Sequence, residues 1–143
     1  MPLISFERTI LFTEVPSRRR WFPIVEVTFI KSDGQRYILP LLFDTGASCI
    51  MLRPEYAWLF PPSTSPVPIA AVGHSNSISC PRTSGQIEFL GVSMDCSIIL
   101  SLIPPNPLWA GLFGRECFQQ FGFGFWESTN KLYETLQPNL AES

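Results

Sequence analysis

Between residues 22 and 30, Val25, Val27 and Phe29 alternate with Glu26 and Thr28. That period of two belongs to an extended chain with one face buried, so the segment reads as a β-strand. Residues 4–15, rich in β-branched and aromatic side chains, read as a strand before it. Ser32-Asp33-Gly34-Gln35 then carries the Asp-Gly pair of a tight hairpin, where Gly accepts the positive φ that the turn imposes. The return strand, residues 37–43, is apolar on both faces apart from Pro40, the pattern of a strand crossing the core. Asp44 stands at its end.

Further along, residues 54–60 predict a short helix with Pro54 in its first turn and Glu55 beside it, stopped by Pro61-Pro62. Residues 63–68 read as a loop, and residues 69–79 as a hairpin with Gly73-His74-Ser75-Asn76 at its tip. Residues 86–90 and 94–102 predict a strand pair turning at Gly91, followed by a loop at Pro104-Pro105-Asn106-Pro107. The apolar run Leu108 to Phe113 leads into a predicted short helix over residues 114–121, which turns Cys117, Phe118 and Phe121 to the core. A final hairpin pairs residues 122–126 with 131–136 around Ser128-Thr129-Asn130. No repeat, low-complexity run or dividing linker interrupts the 143 residues. The expected organisation is one all-β domain over 1–143 with one or two short helices.

Composition narrows the function classes. Apolar residues make up 45% and charged residues 15%, below the roughly 25% usual for soluble chains, which predicts surface buried against a partner. A net charge of -2 offers nucleic acid no general attraction, and Arg18-Arg19-Arg20 is a short basic run read as a solvated loop. No run approaches the roughly 18 apolar residues of a membrane helix, and the first residues lack a signal-peptide pattern, so a cytoplasmic location and no membrane partner are expected. Cys49, Cys80, Cys96 and Cys117 are widely spaced with only His74 to assist them, a poor metal set; they read as reduced, buried, small apolar residues. Neither a metal nor a cofactor is called for.

The chemistry concentrates at Asp44-Thr45-Gly46. Chance supplies this tripeptide in about three of a hundred chains of this length at average usage, and a strand-to-turn junction would also explain it, with Asp44 capping backbone N–H groups and Gly46 at positive φ. Its context argues for more. Leu39-Pro40-Leu41-Leu42-Phe43-Asp44-Thr45-Gly46-Ala47-Ser48, taken with Leu112-Phe113-Gly114-Arg115-Glu116-Cys117-Phe118-Gln119-Gln120-Phe121-Gly122, resembles the retropepsins, the single-domain aspartic proteases of retroviruses, retrotransposons and their cellular and bacterial relatives. The resemblance runs in order over roughly residues 22–136.

It implies a closed, β-barrel-like acid protease fold that dimerises about a two-fold axis, each chain bringing one catalytic Asp44. Two carboxylates that close cannot both ionise, so one accepts a proton from water while the other donates to the scissile carbonyl. By the same resemblance Thr45 locks the two loops together, and Gly46 admits close approach to Asp44. Leu112, Phe113, Gly114 and Arg115 support the loop from beneath. Ala47, Ser48, Gly73 and His74 become candidate substrate contacts, the last two near a flap tip, although His74 also reads as an ordinary exposed loop residue. Many viral members place an Asp where Ser48 stands, so Arg115 needs another partner, a backbone carbonyl or a carboxylate such as Glu88.

Other chemistries lack their parts. There is no G-x-S-x-G, one histidine must serve any triad, and neither Asp33 nor Asp95 lies in a second D-[ST]-G that would complete an intramolecular dyad. The expected function is therefore a homodimeric aspartic endopeptidase acting on peptide or protein substrates. The alternative is a catalytically weak or inactive module of the same fold that serves dimerisation or protein binding.

Overall fold

The computed structural model describes residues 3–5, 8–15, 20–62, 64–69, 78–103, 108–118, 121–126, 131–136 and 139–141. In chain order the strands are β1 (Leu3–Ser5), β2 (Arg8–Leu11), β3 (Thr13–Val15), β4 (Arg20–Phe22), β5 (Ile24–Ile30), β6 (Arg36–Phe43), β7 (Ile50–Leu52), β8 (Thr64–Ile69), β9 (Ile78–Phe89), β10 (Val92–Leu100), β11 (Gly111–Phe113), β12 (Phe121–Trp126), β13 (Lys131–Leu136) and β14 (Asn139–Ala141). Two 3₁₀ helices, Pro54–Leu59 and Arg115–Phe118, are the helical elements among the described residues.

β10, β7, β11, β6, β5 and β9 pair in that order, and β9 pairs back onto β10, so six strands close a barrel. Closure leaves these six strands without a free edge that would invite pairing with other chains, while β8, paired to β9, ends the sheet order. The interior is filled by the alternating side chains of β5, Val25, Val27 and Phe29, with Leu41, Ile87, Ile98 and Phe113 from the strands around them. Phe43, Phe89, Phe113, Phe118 and Phe121 form an aromatic cluster at the same core; Phe43 stacks on Phe118 with 4.6 Å between centroids, and Phe89 meets Phe113 edge-on at 4.8 Å. Outside the barrel, β2, β13 and β12 form a three-stranded sheet, and β1 pairs with β14.

Several elements differ from the sequence-based expectation. Residues 4–15 form three short strands with different partners, β14, β13 and β4, in place of one. Pro23, which has no N–H to donate, separates β4 from β5 within the predicted strand over 22–30. The expected loop over 63–68 contains β8. Its Pro66 and Pro68 are tolerated because β8 ends the sheet order and, among the described residues, has only β9 as a neighbour. The partner strand β9 begins at Ile78, eight residues earlier than the predicted 86, and Pro81 falls opposite the register shift between Thr64 and Val67. Both predicted helices are 3₁₀ segments. In the first, the N–H groups of Tyr56 and Phe60 donate to Arg53 and Ala57, three residues back, at 3.1 Å each, and Pro61 ends it before an α-helical turn can develop.

Other expectations hold with changes of detail. The hairpin joining β5 and β6 turns at 31–35 with Gly34 at φ 87, while Asp33 keeps negative φ and its Oδ1 accepts the Gln35 N–H at 2.9 Å. β9 and β10 turn at Leu90-Gly91, both at positive φ, which is the two-residue turn matched to strand twist. Ile38 in β6 is exposed, so the predicted two-sided burial of that strand applies only to the half nearer Asp44. β8 and β9 form the arms of the expected hairpin, but its tip, with Gly73 and His74, lies outside the described residues, as do Arg18 and Arg19, the loop over 104–107 and the turn over 128–130.

Candidate functional site

Asp44 is carried by the junction of two strands that are far apart in sequence. β11 runs parallel to β6 with Phe113 beside Phe43, and the Phe113 carbonyl extends the ladder by one bond, accepting the Asp44 N–H at 3.0 Å. The chain then reverses: the Ala47 N–H donates to the Asp44 carbonyl at 3.2 Å, leaving Thr45 and Gly46 at the corner. Phe43, Ala47 and Cys49 are buried, whereas Thr45, Gly46 and Ser48 are exposed and Asp44 is half-buried. The loop is thus anchored on one side and open on the other.

The Asp44 carboxylate is oriented locally. Its Oδ1 accepts the Gly46 N–H at 2.8 Å, so the capping role expected of a plain strand-to-turn junction is present. The positive φ expected of Gly46 in that setting is absent; among the described residues the glycines with positive φ are Gly34 and Gly91. Space explains Gly46 instead. A Cβ there would lie 3.1 Å from Asp44 Oδ1, tighter than ordinary contact, and would push the carboxylate aside.

Beneath the loop, the 3₁₀ helix Arg115–Phe118 presents backbone donors to it. The Arg115 N–H binds the Ala47 carbonyl at 2.9 Å and the Glu116 N–H binds the Ser48 carbonyl at 2.8 Å. Gly114, just before, is packed so closely that a Cβ would lie 2.2 Å from the Cys49 carbonyl oxygen and 2.6 Å from the Cys49 nitrogen. Leu112 and Phe113 belong to β11, with Phe113 fully buried. These contacts bring residues 112–116 and 44–49 into one unit.

The Arg115 side chain is exposed and, among the described residues, has no side-chain partner. Glu88, offered as its carboxylate, pairs with Arg36 at 2.5 Å instead, because β5 lies between β6 and β9 and brings the two side chains to one face. The Glu116 carboxylate was not singled out by the sequence, yet its Oε1 accepts the Ser97 N–H at 3.2 Å and ties the helix to β10. A Glu in the first turn of a short helix was the available signal.

The cysteines are buried and reduced. Burial pushes the Cys49 thiol up from its ordinary value, while Ser48 opposes this by hydrogen bonding. The hydrogen-bonded Cys96 thiol pushes Cys117 up, and burial adds to it. Neither Cys49 nor Cys117 is thereby an activated nucleophile, which needs a lowered pKa. The described residues contain no group of three or more His, Cys, Asp or Glu side chains arranged for a metal ion. No helix among them is long and apolar enough to cross a membrane.

No protein-family model matches the chain, and no curated protein matches it by sequence. Solved structures do. EIAV protease, in complex with the inhibitor HBY-793, superposes with a TM-score of 0.52 at 23% identity, over 68% of this chain and 86% of its own. A retropepsin-like aspartic protease from Rickettsia conorii superposes with a TM-score of 0.56 at 15% identity, over 96% of this chain and 99% of its own. The fold is that of the retropepsin-like aspartic proteases.

Proposed function

We propose that the chain, as one domain, is an aspartic endopeptidase of retropepsin type that acts as a homodimer, with Asp44 of each copy forming the catalytic pair. The observation that carries this reading is the loop itself. A half-buried carboxylate that accepts the Gly46 N–H, on a backbone tied through the Asp44 N–H to the Phe113 carbonyl, stands in an exposed loop of a barrel whose solved neighbours are aspartic proteases. One chain holds one Asp-Thr-Gly, and shared-proton chemistry needs two carboxylates.

In the dimer the two loops face one another across the two-fold axis. The ionised Asp44 accepts a proton from water, and the protonated one donates to the carbonyl oxygen of the scissile peptide. A tetrahedral intermediate follows without a covalent enzyme adduct. The Gly46 N–H restrains each carboxylate and lowers the cost of holding it in place. Thr45 is exposed at the corner, and in the proposed dimer it meets the partner loop. Substrate lies as an extended strand, backbone hydrogen bonds giving affinity and alternate side chains giving preference. Ala47 is buried and supports the loop, whereas Ser48 is exposed and open to substrate.

The test compares wild type with Asp44→Asn on a diverse peptide library across pH. Cleavage by wild type alone is expected, with the variant still dimeric and with an acidic to near-neutral optimum. Equal turnover by Asp44→Asn would refute the assignment. Binding without cleavage by either form would instead support a protein-binding module, a reading favoured by the exposed Arg115, which has no side-chain partner among the described residues, and by Ser48 in place of a carboxylate.

A further inference from the structure

Cys96 and Cys117 are separated by 20 intervening residues in the sequence, yet their Sγ atoms lie 3.6 Å apart in the core. The juxtaposition is built into the backbone. Cys96 is in β10 and its neighbour Ser97 donates its N–H to the carboxylate of Glu116, the residue before Cys117. The two short segments are thereby held side by side, cysteine against cysteine. A disulfide has its sulfurs at about 2.05 Å, so closure asks for about 1.5 Å of approach shared between two side chains.

We propose that Cys96 and Cys117 are a reversible disulfide site, oxidised by a two-electron oxidant such as hydrogen peroxide. The balance is complete. One thiolate attacks a peroxide oxygen, the O–O bond breaks, and a sulfenic acid and water are formed; the second sulfur then displaces the hydroxyl as a second water. Two S–H bonds are lost and one S–S bond is gained, with both electrons going to the peroxide. Cys49 and Cys80 pack in a separate cluster with Ile99 and are not part of the site. The new bond would tie β10 covalently to the helix whose N–H groups hold the Ala47 and Ser48 carbonyls. This inference stands on the core geometry and does not depend on peptide hydrolysis.

Because both thiols are buried and Cys117 holds its proton tightly, the reaction is expected to be slow and to accelerate as pH rises. The experiment treats the full chain with hydrogen peroxide, blocks remaining thiols by alkylation and digests with trypsin without reduction. Cys96 falls in fragment 83–115 and Cys117 in fragment 116–131, each the sole cysteine of its fragment. The expected product is these two fragments joined, with the loss of two hydrogens and of two of the four alkylatable thiols, restored by a thiol reductant. Cys96→Ala is expected to abolish the joined species. Full alkylation of both fragments after oxidation, or a crosslink that includes Cys49 or Cys80 instead, would overturn the proposal; wild type alone suffices for either result.

Discussion

Replacing Gly114 by alanine puts a single methyl group where the backbone of Cys49 already is. The added Cβ would stand 2.2 Å from the Cys49 oxygen, 2.6 Å from its nitrogen and 2.7 Å from its carbonyl carbon. All three are main-chain atoms, so no side-chain rotation relieves the overlap and the two segments must separate. Overpacking of this kind costs about 1–3 kcal/mol. Separation also stretches the bonds from Arg115 and Glu116 to Ala47 and Ser48, now at 2.9 and 2.8 Å, each worth about 1 kcal/mol. A loss of about 3–5 kcal/mol is expected, a large part of the roughly 5–15 kcal/mol that a domain has. Urea unfolding followed by tryptophan fluorescence, at one fixed protein concentration, measures it; with a slope of about 2 kcal/mol/M the midpoint falls by roughly 2 M. Gly91→Ala is the comparator. Nothing lies within 4 Å of a Cβ there, but φ is +78, so its cost is only the left-handed backbone, about 1–2 kcal/mol. If Gly114→Ala proves no worse than Gly91→Ala, the close approach of the two segments is not what holds the loop.

Gly46→Ala should behave in the opposite way, with stability changed by less than about 1 kcal/mol because the near atom is a side-chain oxygen that can swing away, but with peptide cleavage reduced at least about tenfold as Asp44 leaves its position; an unaffected kcat would contradict the orienting role. Cys117 has its pKa raised by the Cys96 thiol and by burial above the free value of 9.0, so the stability it contributes is full below that pH and is lost as pH rises beyond it, by at most about 1.4 kcal/mol per pH unit. Urea titrations from about pH 8 to 10.5 check this, and Cys117→Ala must show a shallower alkaline decline than wild type. Thr83 is 3% exposed and its hydroxyl donates to the Pro61 carbonyl at 2.9 Å, so Thr83→Val should cost about 1 kcal/mol in the same unfolding assay, and a stabilised variant would deny that bond any net value.

What could be read from the sequence was local and periodic. Val25, Val27 and Phe29 alternate because one face of β5 fills the barrel, and Leu90-Gly91 sits between two strands that pair directly. Asp44-Thr45-Gly46 is legible as a candidate site because the signal lies in three consecutive residues following an apolar strand. What failed was decided by neighbours. Pro66 and Pro68 made β8 look like a loop, and only its place at the end of the sheet order lets them remain in a strand. The helical stretches had the right residues but too few of them before Pro61 or β12 to form more than 3₁₀ turns. Glu116 with Ser97, and Cys96 with Cys117, are pairs whose partners no short-range pattern connects.

The same nonlocal pairing explains why the loop can be both firm and exposed. Beyond Phe43 the burial changes residue by residue: Asp44, Thr45, Gly46 and Ser48 turn outward, while Ala47 and Cys49 turn in. The buried Ala47 would leave its carbonyl stranded if the loop had only itself for partners, since buried polar groups require hydrogen bonds. β11 and the helix after it supply what the loop lacks: an acceptor for Asp44 and donors for Ala47 and Ser48. Gly111 and Gly114 are the conditions for that supply, because a Cβ at either would come within 2.2 Å or less of a main-chain oxygen of the β7 region. Stability and site geometry therefore rest on one set of contacts. A substitution that loosens the barrel at β11 must also move Asp44, whereas a change at the exposed corner can move Asp44 and leave the barrel intact.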